Sequence, residues 1–123
     1  MNADEYEEYI SNKIAIGDAI IKTFRIDTSK ILVEEDKTNS VILWFNKGTE
    51  NRYICRFIEY PNPMGIRIYI NNDINEYFSN SKKINLNKEL ADTIVNYIRK
   101  KSGTNKEIRI YVETADGKTI SLF

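Results

Sequence analysis

Apolar residues fall on one helical arc between positions 3 and 24, and from position 31 to 70 they crowd into short runs whose members alternate in character. That change of period, from about 3.6 to 2, demands a helix followed by β-strands. In the first segment Tyr6, Tyr9, Ile10, Ile14, Ile16, Ile20, Ile21 and Phe24 share the arc, with Asp4, Glu5, Glu7, Glu8, Ser11, Asp18 and Lys22 mostly opposite. Asn2 is placed to cap it, with Glu5 three residues on as in a capping box, and the acidic first turn suits the positive end of the helix dipole. Gly17 lies within the arc. A glycine costs a helix about 1 kcal/mol relative to alanine, so close packing against another element is expected there.

Strands are predicted at 31–35, 40–46, 52–60 and 64–70, all rich in β-branched and aromatic residues. Their connections are short, which predicts antiparallel neighbours. Polar residues 71–83, interrupted by Tyr77 and Phe78, lead to a short fifth strand at 84–86. Asn87 should cap a second helix running to Lys101, with Leu90, Ala91, Ile94, Val95, Tyr97 and Ile98 inward and Gly103 ending it. Asp116-Gly117 then predicts a closing hairpin, with Ile108, Ile110 and Val112 in one arm and Ile120 and Leu122 in the other. The expected fold is α+β: an N-terminal helix, an antiparallel sheet of four to five strands, a second helix and a C-terminal β-hairpin. At 123 residues this is one domain.

Lys plus Arg and Asp plus Glu both number 18, so the formal charge is zero. Nucleic acid or an anionic membrane would gain no whole-molecule attraction to such a chain, and any such contact needs a local patch. One cysteine permits no internal disulfide and suits a reducing compartment. No apolar run reaches membrane-spanning length, and the acidic N-terminus is unlike a signal peptide. A cytoplasmic location without membrane contact is the expectation.

There is no histidine, which removes the commonest general base and metal ligand at neutral pH. A Ser-His-Asp or Cys-His arrangement is impossible, and five scattered glycines make no phosphate loop. Cys55 alternates with Tyr53 and Phe57 and should be an inert, buried thiol. Glu34-Glu35-Asp36-Lys37 at a strand end has the look of the Glu-x-Lys half of a Mg²⁺-dependent nuclease site, but the further acidic residue, Asp18 or Asp27, lies on no neighbouring strand. An ordinary charged strand end is the preferred reading. No cofactor, metal or catalytic residue is expected.

Strict alternation puts Tyr53, Cys55 and Phe57 on one face of the third strand, and Arg52, Ile54, Arg56, Ile58 and Tyr60 on the other. On the fourth strand Met64, Ile66, Ile68 and Ile70 oppose Arg67 and Tyr69. If both helices cover the more apolar face, the open face shows Arg52, Arg56, Arg67 and Tyr69, with Trp44 a further candidate. Arginines and rings on an open sheet suit phosphate pairing and base stacking. They suit a protein interface equally well, and antiparallel sheets ordinarily carry cross-strand Arg and Tyr pairs on a polar face. A second basic cluster (Arg99, Lys100, Lys101, Lys106, Arg109) and the acidic Asp4, Glu5, Glu7 and Glu8 are explained by helix ends. The exposed edge of the terminal hairpin could pair between subunits as a homodimer.

Val33-Glu34-Glu35-Asp36, Val41-Ile42-Leu43 and Asn51-Arg52-Tyr53-Ile54-Cys55-Arg56-Phe57, after the acidic helix Asp4-Glu5-Tyr6-Glu7-Glu8-Tyr9-Ile10, resemble a pattern in one bacterial family. It is the C-terminal accessory domain of type I restriction enzymes and restriction endonuclease-like proteins. The resemblance covers about residues 4–101, with Ile84-Asn85-Leu86 and Leu90 onward matching its short strand and last helix. This chain has Glu35 where the family has Arg before the Asp, its Thr is displaced to Thr38, and the hairpin from Lys106 has no counterpart. The resemblance implies a non-catalytic accessory domain that contacts DNA or a protein partner, and it points to Asp36, Arg52 and Arg56. A phage-encoded inhibitor or an immunity-type protein is the alternative.

Overall fold

The computed structural model describes residues 2–36, 39–61, 64–77 and 83–122. Lys37 and Thr38 of the nuclease-like and family patterns, Asn62 and Pro63 of the predicted turn, and Phe78 lie outside them. Helix α1 (Ala3–Phe24) is followed by β1 (Ile31–Glu35), β2 (Ser40–Lys47), β3 (Glu50–Glu59) and β4 (Ile66–Asn71). Helix α2 (Lys88–Ser102), β5 (Ile108–Glu113) and β6 (Thr119–Ser121) complete the chain, with 3-10 turns at Thr28–Lys30 and Ile74–Tyr77.

Local chemistry sets the ends of both helices. The Asn2 side chain accepts from the Glu5 N–H at 2.8 Å and that of Asn87 from Leu90 at 3.0 Å. Gly103 closes α2 with a left-handed φ of 74°. The buried seam of α1 is Asn12, Ala15, Ile16, Ala19, Ile20 and Phe24. Tyr6 and Ile14, expected inside, are 57% and 53% exposed, because the small alanines seat the helix on the line from Asn12 to Phe24. Gly17 also departs from expectation: a Cβ placed there would meet nothing within 4 Å. Replacing it by alanine should therefore raise stability by about 1 kcal/mol in chemical denaturation, without changing the denaturant slope.

The six strands form a single sheet ordered β1-β2-β3-β4-β5-β6. Every neighbouring pair is antiparallel except β4 and β5, which are parallel. The sheet is thus mixed and larger than the four to five antiparallel strands expected. The hairpin strands join it, and α2 makes the crossover that a parallel pair requires. Residues 84–86 are not a strand. Asn75 holds this segment instead, donating to the Ile84 carbonyl at 2.9 Å and accepting its N–H at 3.0 Å, while Ile84 and Leu86 pack against the core.

Both helices pack on one face. Their buried residues form a single core with Val41, Leu43, Phe45, Cys55, Phe57, Ile66, Ile68, Ile70, Ile108 and Ile110. The helices join through the Asp18–Lys101 ion pair and through Lys22 over the Tyr97 ring at 5.3 Å. A β-bulge in β3 alters the third strand. Leu43 is level with Cys55 but Trp44 is level with Tyr53, so Ile54 has no opposite number. Ile54 and Cys55 both enter the core fully, and the parity of β3 reverses before them.

Candidate docking face

The bulge decides which side chains meet on the helix-free face. Arg56 lies between Ile42 and Tyr69, Tyr69 lies beside Tyr111, and Tyr111 is level with Ser121. Trp44 is level with Tyr53, and Arg67 with Ile58 and Arg109. Four of the five expected site residues, Trp44, Arg56, Arg67 and Tyr69, therefore share this face. Arg52 does not. It is level with buried Phe45 on the helix side, and its guanidinium lies 3.9 Å from Glu50. Strict alternation counted Ile54 as an outward residue, and the bulge removes that count. The same shift brings Tyr53 onto the open face, where alternation had placed it in the core.

The open face is a packed layer. Tyr69 and Tyr111 stack with centroids 5.2 Å apart and planes 16° from parallel. Arg56 lies over Tyr69 at 4.1 Å and donates to one Glu113 oxygen through Nη2 at 2.9 Å and Nε at 3.3 Å. Burial alone would lower the Arg56 pKa, but the bonds to Glu113 outweigh it and the net shift is upward. Trp44 meets Tyr53 edge-on at 5.9 Å and donates to Glu34 at 3.4 Å. The Tyr53 hydroxyl donates to the Tyr69 carbonyl at 3.3 Å, and burial, reinforced by Glu113, pushes its pKa up. Arg109 is exposed and pairs with Glu107. Arg67 differs from these. Its guanidinium lies 5.4 Å over Tyr60, its Nε is buried with no hydrogen-bond partner, and it has no ion-pair partner among the described residues.

The remaining candidates are committed to structure. Cys55 is fully buried, and burial pushes its thiol pKa up. Glu35 pairs with Lys13 at 2.8 Å, Asp18 with Lys101, and Asp27 accepts from Ser29, whose hydroxyl and N–H lower its pKa. Among the described residues no three His, Cys, Asp or Glu side chains converge as metal ligands would. In the second basic cluster Arg99 donates to the carbonyls of Thr104 and Lys106 at 3.1 and 2.9 Å. Lys106 leaves the cluster for Glu59, which is 8% exposed and lies 2.9 Å away, and Asn12 donates to the same Glu59 oxygen at 2.8 Å. This buried Asn12–Glu59–Lys106 group was not foreseen. Glu5 and Glu8 line a cleft of about 340 Å³ beside it.

No protein-family profile, curated protein or solved structure matches the chain. The resemblance to restriction-enzyme accessory domains therefore rests on the sequence pattern alone. No helix among the described residues is long and apolar enough to cross a membrane.

Proposed function

We propose that this chain is a non-catalytic binding domain whose open β-face docks a protein partner. The observation that carries the reading is the neutralised charge of an arginine-rich, aromatic face. Arg56 is held by Glu113 and Arg109 by Glu107, which leaves Arg67 without a carboxylate among the described residues. Nucleic-acid binding draws on several uncompensated cations, each releasing about one counterion. A face with one such cation among its described residues, beside Glu34, Glu107 and Glu113, gains little from phosphates. Tyr, Trp and Arg in a half-buried cluster are instead the side chains that dominate protein interfaces. Arg67, with no carboxylate among the described residues, suits an acidic group from the partner, with Tyr69 and Tyr111 supplying apolar contact.

The resemblance to restriction-enzyme accessory domains suggests where to look for the partner, among restriction or phage-defence proteins, and an inhibitor or immunity-type role fits the same face. Arg67 level with Arg109 keeps nucleic acid as a second reading. The Tyr69→Ala/Tyr111→Ala variant should fold as judged by circular dichroism. It should bind a partner isolated from the native host roughly 100-fold more weakly than the wild type. Retained affinity in the folded variant would move the site elsewhere. An oligonucleotide affinity that falls steeply with salt would favour the second reading.

A further inference from the structure

Among the described residues the sheet ends at β1, whose outer edge has no neighbouring strand. Val33 is 59% exposed and Leu32 44%, on opposite faces of this strand. The Asp36 N–H donates to the Ser40 carbonyl at 2.8 Å. With the register of β1 and β2, this makes Asp36–Ser40, Glu34–Ile42 and Leu32–Trp44 the pairs that exchange hydrogen bonds. Val33 and Glu35 must then turn both N–H and C=O outward. Ile31 turns out only its C=O, because its N–H bonds to Thr28.

We propose that two copies of this chain associate through antiparallel pairing of β1 with β1, on a two-fold axis at Val33. Val33 then exchanges two hydrogen bonds with its counterpart, and each Glu35 N–H reaches the opposite Ile31 carbonyl. Leu32 comes level with Glu34 on both sides of the axis, and Lys30, in the turn before the strand and 5.8 Å over the Phe45 ring in the single chain, is brought near Asp36. The order Lys30-Ile31-Leu32-Val33-Glu34-Glu35-Asp36 makes this register self-complementary in charge. Parallel pairing would set the acidic triplet against itself, which is the kind of cost that protects an edge from wrong partners. The other edge, β6, on which a subunit contact was expected, offers only three residues. Symmetry keeps both open faces on one side of the joined sheet, so a dimer would present the docking face twice.

Sedimentation velocity from 10 to 300 µM should show the wild type moving toward twice the 14.4 kDa chain mass. Val33→Pro removes an N–H that β2 does not use, and should stay monomeric with an unchanged circular dichroism spectrum. Lys30→Glu and Asp36→Lys should each weaken self-association at least tenfold. Mixed together, these two variants should form a heterodimer of wild-type affinity, because one ion pair is restored with reversed sign and the other is the native pair. That mixing result decides the matter even if Val33→Pro misfolds. A wild type that keeps the mass of one chain up to 300 µM would overturn the proposal. So would a dimer indifferent to both charge variants and to their mixing.

Discussion

Gly65→Ala is expected to cost roughly 3 kcal/mol or more, lowering the melting temperature by about 10 °C. Gly65 has a left-handed φ of 74°, and a Cβ there would lie 2.3 Å from the Glu107 carbonyl oxygen. That oxygen is already the acceptor for the Ile66 N–H at 2.7 Å, at the start of the parallel β4–β5 pair. The Gly65 carbonyl accepts the Tyr60 N–H at 2.8 Å on its other side. A methyl group cannot enter without separating β4 from β5, and two backbone segments yield less readily than a side chain. Gly48→Ala is the control. It too has positive φ, 68°, but its Cβ would meet nothing within 4 Å, so it should lose only the conformational cost, about 1 kcal/mol. Equal losses in thermal melts of the two variants would show that β4 and β5 are not so closely joined at Glu107.

Lys106→Met should cost about 3 kcal/mol, because it leaves the Glu59 carboxylate buried with only the Asn12 amide for company. Glu59 sits at the end of β3 and Lys106 in the approach to β5, so the pair ties two strands separated by β4. Converting Glu59 to Gln in the Lys106→Met background should recover most of the loss, since a neutral amide needs no counter-charge. Denaturant midpoints of the two single variants and the double variant measure the coupling. Additive losses would mean that the carboxylate is solvated well enough to need no lysine.

The outline of the fold was legible because both helices carry caps at Asn2 and Asn87 and because the period changes between Phe24 and Ile31. The sheet was less legible for two physical reasons. Turn chemistry shows that neighbours such as β2 and β3 pair antiparallel, but it is silent about how β5 returns after a helix, and that return is what makes the sheet mixed. The bulge at Ile54 has no glycine or proline to mark it. Its one trace is the unbroken run Tyr53-Ile54-Cys55, where alternation wants a polar residue. The cost of missing it was Arg52, assigned to the wrong face, and Tyr53, assigned to the core.

The Asn12–Glu59–Lys106 group could have been found. Asn12 precedes Ile16, Ile20 and Phe24 at intervals of four, and Glu59 follows Phe57 by two, so each is a polar residue on an inward position. The charge state of the open face could not have been found in this way. Arg56 meets Glu113 across 57 residues of sequence, and only the parallel register of β4 with β5 brings them together. That pairing is what turned the reading from phosphate toward protein.

Trp44, the single tryptophan, stands on the proposed docking face beside Tyr53 and reports directly on its occupancy. The deciding measurement is its fluorescence during titration with the isolated host partner and, in parallel, with a single-stranded oligonucleotide at low and high salt. A saturable change with the protein that survives high salt, with no salt-sensitive response to the oligonucleotide, is the predicted result. Quenching by the oligonucleotide that disappears as salt rises, with Trp44 indifferent to the protein, would contradict it.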